Sequence, residues 1–224
     1  NVPTITLNDG HEIPQLGFGS YKVDNDTAEK VVGLALQAGY RHIDTAGFYG
    51  NEEGVGRAIA ASGIPREEIF VTTKLWNDRH GDPDAALAES LEKLGLDYVD
   101  LYLIHWPCPA QDLYLKVWDR FIAARETGLV RSIGVSNFLP EHLDNLLRHS
   151  PVPPVVDQLE LHPAYQRRDD VAFCRDHEIA VEAWGPLGQG KYPLLEDPTV
   201  TRGAEAHGVG AGQAGIRWHL QHGR

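Results

Sequence analysis

Methionine is absent from all 224 residues, and the chain opens on Asn1. Translation begins on Met, so an N-terminus trimmed or processed ahead of Asn1 is expected. Cysteine is nearly absent as well. Cys108 and Cys174 have neither metal-type nor redox-type spacing, which sets aside a disulfide framework. Reduced thiols in the cytoplasm are expected instead. No apolar run approaches the roughly 20 residues of a membrane-spanning helix, so no membrane partner is expected. Basic residues are in deficit: 20 Lys and Arg stand against 32 Asp and Glu, for a net charge of −12. Such a field disfavours nucleic acid as the main partner. No Gly-x-Gly-x-x-Gly follows the first strand, which removes direct support for a doubly wound dinucleotide fold.

What the chain does have is a series of six apolar segments that each run into a polar or aromatic residue. Arg41 to Ile43 runs into Asp44, and Ile69 to Thr73 into Lys74. Val99 to Ile104 runs into His105, and Ser132 to Val135 into Ser136 and Asn137. Val155 to Asp157 runs into Gln158, and Ile179 to Ala183 into Trp184. Helical stripes alternate with these strands, as over Thr27 to Ala38, Glu52 to Ser62 and the run after Asp82-Pro83. Asp82 is the expected N-cap of that third helix.

Alternating strands and helices, with strands apolar almost throughout, predict an α/β fold with a covered parallel sheet. The expected form is a (β/α)8 TIM-type barrel, whose strand ends gather polar side chains at one mouth. Thr4 to Leu16 reads as an N-terminal β-hairpin around Asp9-Gly10. Only six barrel strands are legible, so residues 1–224 are expected to form one barrel domain lacking its last two strands. The glycine-rich stretch His207 to Trp218 is expected to be a frayed helix or one dependent on its neighbours, because each glycine costs about 1 kcal/mol relative to alanine.

Asp44, Lys74 and His105, with Tyr49 five residues past the first strand, form a chemically coherent group. A free phenol, with a pKa of about 10, is a poor proton donor at neutral pH. An ammonium beside it would lower that value, Asp44 would keep the ammonium charged and aimed, and a histidine would hold a carbonyl oxygen near the phenol. None of the four donates hydride, so a cofactor is implied. Each residue alone has an ordinary use, as a cap, a packed ring, a surface lysine or a core histidine. Three other readings remain open. One is a Schiff-base aldolase using Lys74. Another is a metal-dependent hydrolase using His42, Asp44, Glu160, His162 and His105. The last is a cofactor-binding protein without turnover.

The segments Gly39 to Glu52, Leu96 to Pro107 and Ile133 to Phe138 resemble three signatures of the aldo-keto reductases. Asn51 to Gly56, Lys74 to Asp78 and Trp184 to Lys191 are similar to the bacterial group containing the 2,5-diketo-D-gluconate reductases. The resemblance implies NADPH-dependent reduction of an aldehyde, ketone, keto sugar or small dicarbonyl by a cytoplasmic protein. Tyr49 would then be the proton donor, Lys74 and Asp44 its tuning pair, and His105 the orienting residue. Ser136, Asn137 and Gln158 would hold the nicotinamide carboxamide and Trp184 would stack on its ring. Gly185, Leu187, Gln189 and Gly190 would lie along the pyrophosphate. Tyr21, Phe48, Trp76, Trp106 and Phe138 would line the substrate pocket. The family's Lys-Ser segment and arginine for the 2′-phosphate lie beyond the matching region. The expected partner is a small carbonyl substrate taken by a monomer, with no resident metal.

Overall fold

The computed structural model describes residues 2–224. Strand β1 (Thr4–Thr6) pairs antiparallel with β2 (Glu12–Pro14), forming the expected hairpin. Gly10, at φ +88°, takes the left-handed position that ends its turn. Seven parallel strands follow. They are β3 (Phe18–Gly19), β4 (His42–Asp44), β5 (Phe70–Leu75), β6 (Val99–Ile104), β7 (Val130–Ser136), β8 (Val156–Glu160) and β9 (Ala180–Trp184). Each pairs with the next in chain order, so the sheet curls without the order reversal of a doubly wound fold.

The strand count from sequence needs correction. Phe18 and Gly19 pair in parallel with Ile43 and Asp44, giving one more barrel strand than the six legible runs. Two residues are too few to show an apolar pattern, and only the pairing makes them a strand. Against an eight-stranded barrel, the described residues are therefore one strand short, with β3 and β9 as the sheet edges.

Eight helices alternate with or follow the strands among the described residues. They are α1 (Asn25–Gln37), α2 (Glu52–Ala61), α3 (Pro83–Leu94), α4 (Tyr114–Glu126), α5 (Pro140–His149), α6 (Arg168–Asp176), α7 (Pro198–Ala206) and α8 (Ala211–Gln221). None is long and apolar enough to cross a membrane. Asp24 caps α1 by accepting the Thr27 N–H at 2.8 Å. Asp82 holds the expected N-cap position of α3, ahead of Pro83, but its side chain makes no capping hydrogen bond. Its carboxylate is drawn 2.8 Å from the Arg79 guanidinium, a charge-assisted contact that outcompetes a backbone N–H. Despite Gly212 and Gly215, α8 forms a full helix. Gln213 accepts the Gly210 N–H at 2.9 Å, and the missing Cβ of Gly215 leaves room for Leu187. Close packing on a neighbour replaces the intrinsic propensity that glycine lacks.

The larger core lies between sheet and helices, around Ile43, Val71, Tyr102, Trp118, Phe121 and Ile133. A smaller one, with Leu7, Ile13, Leu101, Leu103 and Val156, closes the hairpin end of the barrel interior. Two glycines let α2 approach both neighbours. A Cβ on Gly54 would stand 2.1 Å from the Asn25 carbonyl oxygen, and one on Gly56 2.3 Å from that of Leu94. Alanine is the better helix former by about 1 kcal/mol, yet neither helix backbone can retreat cheaply. Gly56→Ala is therefore expected to destabilise the protein by about 2 kcal/mol through overpacking. Thermal or urea unfolding checks this, and an unchanged midpoint would show that α2 and α3 can separate freely.

Candidate active site

Parallel register sets the site. Asp44 stands beside Gly19 and Thr72, Ser136 beside Gln158, and Gln158 beside Glu182. Side chains alternate along a strand, so Asp44, Gln158 and Glu182 share the inward face. Lys74 enters from the next strand with its side chain fully shielded from solvent.

The Lys74 Nζ donates to Asp44 Oδ1 at 2.5 Å, to the Thr45 carbonyl oxygen at 2.9 Å and to the Tyr49 hydroxyl at 3.2 Å. Three acceptors for three ammonium protons satisfy the group completely. Burial by itself would push the Lys74 pKa down, but Asp44 and Tyr49 outweigh it, and the ammonium is held above its ordinary range. Gln158 Nε2 donates to the other Asp44 oxygen at 2.8 Å.

The phenol behaves differently from the sequence expectation. Its pKa is raised, not lowered, because burial and the nearby Asp44 charge outweigh the pull of Lys74. Tyr49 therefore carries its proton at neutral pH, as a phenol with an unshifted pKa of about 10 also would, and Lys74 offsets only part of the burial cost of its anion. His105 stands with its ring 5.9 Å from that of Tyr49, in an edge-on arrangement, and 5.0 Å from Trp76. Burial, reinforced by Lys74, pushes its pKa down to about 3, so the imidazole is neutral.

That shift has a stability consequence. Below pH 6.5 an unfolded His105 takes up a proton that the folded residue refuses until about pH 3. Stability therefore falls as pH drops through that window, by about 1.4 kcal/mol per pH unit for this one group. His105→Gln is expected to remove that contribution. Urea unfolding of both proteins across the window measures it, and parallel stability curves would show that His105 is not held neutral.

Four of the residues placed in the cofactor group interlock at the sheet's C-terminal end. Ser136 Oγ donates to the Gln158 carbonyl oxygen at 2.8 Å. Asn137 Nδ2 donates to the His105 carbonyl oxygen at 2.9 Å, and its Oδ1 accepts Trp184 Nε1–H at 2.9 Å. Gly185, Gly188, Gln189 and Gly190 all have positive φ, which turns successive backbone amides along the loop after β9.

A cavity of 710 Å³ joins these parts. It is lined by Asp44, Tyr49, His105, Ser136, Asn137 and Gln158, and by Trp184, Gly185 and Gln189. Tyr21, Phe48, Trp76 and Trp106 also border it, with the Phe48 and Trp76 rings stacked 3.8 Å apart. Phe138 does not. It is wholly buried, edge-on to Tyr114 and His142 in the core. Leu187 also lies off the cavity and packs toward Gly212 and Gly215, and Gly190 does not line it. In each case the turn of a loop, invisible to strand periodicity, set the direction.

Sequence reasoning missed three contributors. The Thr45 carbonyl completes the Lys74 shell. Buried Asn51 donates to the Ser20 carbonyl oxygen at 2.6 Å and accepts Thr45 Oγ1–H at 3.0 Å, tying the Tyr21 loop to the Tyr49 loop. Its place two residues after Tyr49 was the available signal. Glu182 faces the cavity with a sealed oxygen, and burial pushes its pKa up to about 8. His42, Asp44 and Glu182 place ligand-type atoms within 4.8 Å of one another. Lys74 and Gln158 already engage both Asp44 oxygens, and the His42 ring nitrogens face Pro14 and Thr72. These commitments disfavour a metal site. Glu160 and His162 pair with each other at 3.2 Å, away from the cavity.

Residues 15–224 match the Aldo/keto reductase family. The chain belongs to that family. Methylglyoxal reductase DkgA of Escherichia coli K12 is 46% identical over 223 residues, covering 100% of this chain and 81% of its own. The crystal structure of an aldo/keto reductase from Brucella melitensis has a TM-score of 0.96 and 54% identity, spanning 100% of this chain and 85% of that one. An aldo-keto reductase from Bombyx mori, solved in complex with NADP, has a TM-score of 0.91 and 41% identity over 99% of this chain and 81% of its own. The aldo-keto reductase expected from the signatures is thus the family found, an oxidoreductase that reduces carbonyl groups.

Proposed function

We propose that this aldo-keto reductase uses NADPH to reduce small aldehydes and dicarbonyls, of which methylglyoxal is representative, with Tyr49 as the proton donor. The observation that carries the reading is the saturated Lys74 ammonium, joined to both Asp44 and the Tyr49 hydroxyl. A shielded ammonium beside a protonated phenol stabilises the negative charge that develops as the proton leaves. Neutral His105 suits a hydrogen bond to the carbonyl oxygen without competing as an acid. The stacked Phe48 and Trp76, with Tyr21 and Trp106, offer a flat apolar wall to many small carbonyl compounds.

The residues present suit the cofactor. Gln158 Oε1, Asn137 Oδ1 and Ser136 Oγ keep acceptor capacity for a carboxamide NH2. The bond from Trp184 Nε1 to Asn137 fixes the indole plane at the cavity wall. The turned amides of Gly185 and Gln189 suit a pyrophosphate. When bound, the reduced nicotinamide supplies the hydride. Free Cys108 and Cys174 suit the cytoplasm, where we place a monomeric protein built on one barrel domain. NADPH consumption in the presence of methylglyoxal is the direct test. Turnover supports the reading, and NADPH binding without turnover on any small carbonyl would favour a non-catalytic role.

A further inference from the structure

Asp157 is a fully buried acid that the proposed chemistry does not use. It sits on β8 beside Gln158, but its side chain points out of the barrel, toward α6. Its Oδ2 meets the Cys174 thiol at 4.0 Å, and the charges of Arg167 and Asp170 act on the group from farther off. Its Oδ1 accepts the Phe138 N–H at 3.3 Å. A carboxyl group in an apolar layer is costly unless a partner uses it. Here the partner is a backbone amide one residue past Asn137.

Asn137 holds φ +60°, a left-handed conformation that side chains disfavour. The surrounding amides are each caught in turn. The Asn137 N–H donates to the Gln158 carbonyl oxygen at 2.9 Å, Phe138 to Asp157, and the Leu139 N–H to His142 Nδ1 at 3.0 Å. With the backbone so fixed, the Asn137 amide bridges the His105 carbonyl and the Trp184 indole. We infer that Asp157 is a positioning residue: from behind the sheet it anchors the Phe138 N–H and so holds Asn137 in the shape that links His105 to Trp184. The inference rests on the proposed cofactor site for its functional meaning. Burial raises the Asp157 pKa, while the Phe138 N–H that Oδ1 accepts pulls the other way. Asparagine presents the same Oδ1 acceptor and should replace it.

The test compares Asp157→Asn, which keeps the acceptor, with Asp157→Leu, which removes it. Asp157→Ala replaces the leucine variant if that one fails to fold. The first readout needs no cofactor. It is the NMR resonance of the Trp184 indole N–H, assigned by its loss in Trp184→Phe. The second is NADPH affinity by fluorescence titration. Asp157→Asn is expected to leave both in place, with Kd within about 2-fold of the parent. Asp157→Leu is expected to move the indole resonance and raise the Kd by about 10-fold, a modest misplacement effect. An unmoved resonance and Kd in a folded leucine or alanine variant would overturn the inference, whatever happens to Tm. So would an asparagine variant as impaired as the leucine one. If the parent protein binds no NADPH, the proposed function fails, while the indole resonance still decides the role of Asp157.

Discussion

Tyr49→Phe is expected to lower the rate of methylglyoxal reduction by about 10³-fold, the scale of a lost general acid. The affinity for NADPH should stay within about 3-fold, because the hydroxyl contacts Lys74 and not the residues that suit the nicotinamide. Pre-steady-state NADPH oxidation separates binding from chemistry. The raised phenol pKa adds a second expectation. Reduction should not weaken between about pH 7 and about pH 9, since Tyr49 remains protonated throughout. Near-parental turnover by the phenylalanine variant would move the proton donor elsewhere, with neutral His105 the next candidate to examine.

Lys74→Met should be as damaging to activity and much more damaging to the fold. The ammonium is fully shielded and is the cationic partner of Asp44. Removing one member of a buried pair leaves an uncompensated charge, at a cost of about 3–5 kcal/mol. Asp44→Asn in the same chain should recover most of that stability, because no buried charge is then stranded. It should recover no activity, because nothing cationic faces the Tyr49 hydroxyl. Urea unfolding and NADPH consumption, run on the single and double variants, distinguish the two effects. If the double variant regains turnover, the ammonium has only a structural role.

Much of this site was legible along the chain. Asp44, Lys74 and His105 each end an apolar run, and a parallel sheet carries such residues to one rim. Ser136, Asn137, Gln158 and Trp184 follow the same rule, and all four border the cavity with Asp44 and Tyr49. The rule fails where no strand sets the direction. Phe138 lies beyond the end of β7, and the left-handed Asn137 before it turns the ring into the core. Leu187 lies in the loop after β9 and packs toward α8. Strand β3 escaped notice because two residues carry no period, and pairing alone defines them.

Read alone, the sequence determined the fold class, the hairpin, the family and the residues gathered at the barrel mouth. The family rests on its signature segments, and the rest on hydrophobic period and on which residue closes each strand, all of them local properties. Only the tertiary structure decided that the phenol pKa is raised rather than lowered and that Asp157 stands behind Asn137. A pKa reflects the sum of burial and of charges brought from separate strands. An anchoring contact reflects which backbone amide a distant side chain happens to reach. Neither quantity exists until the chain has folded.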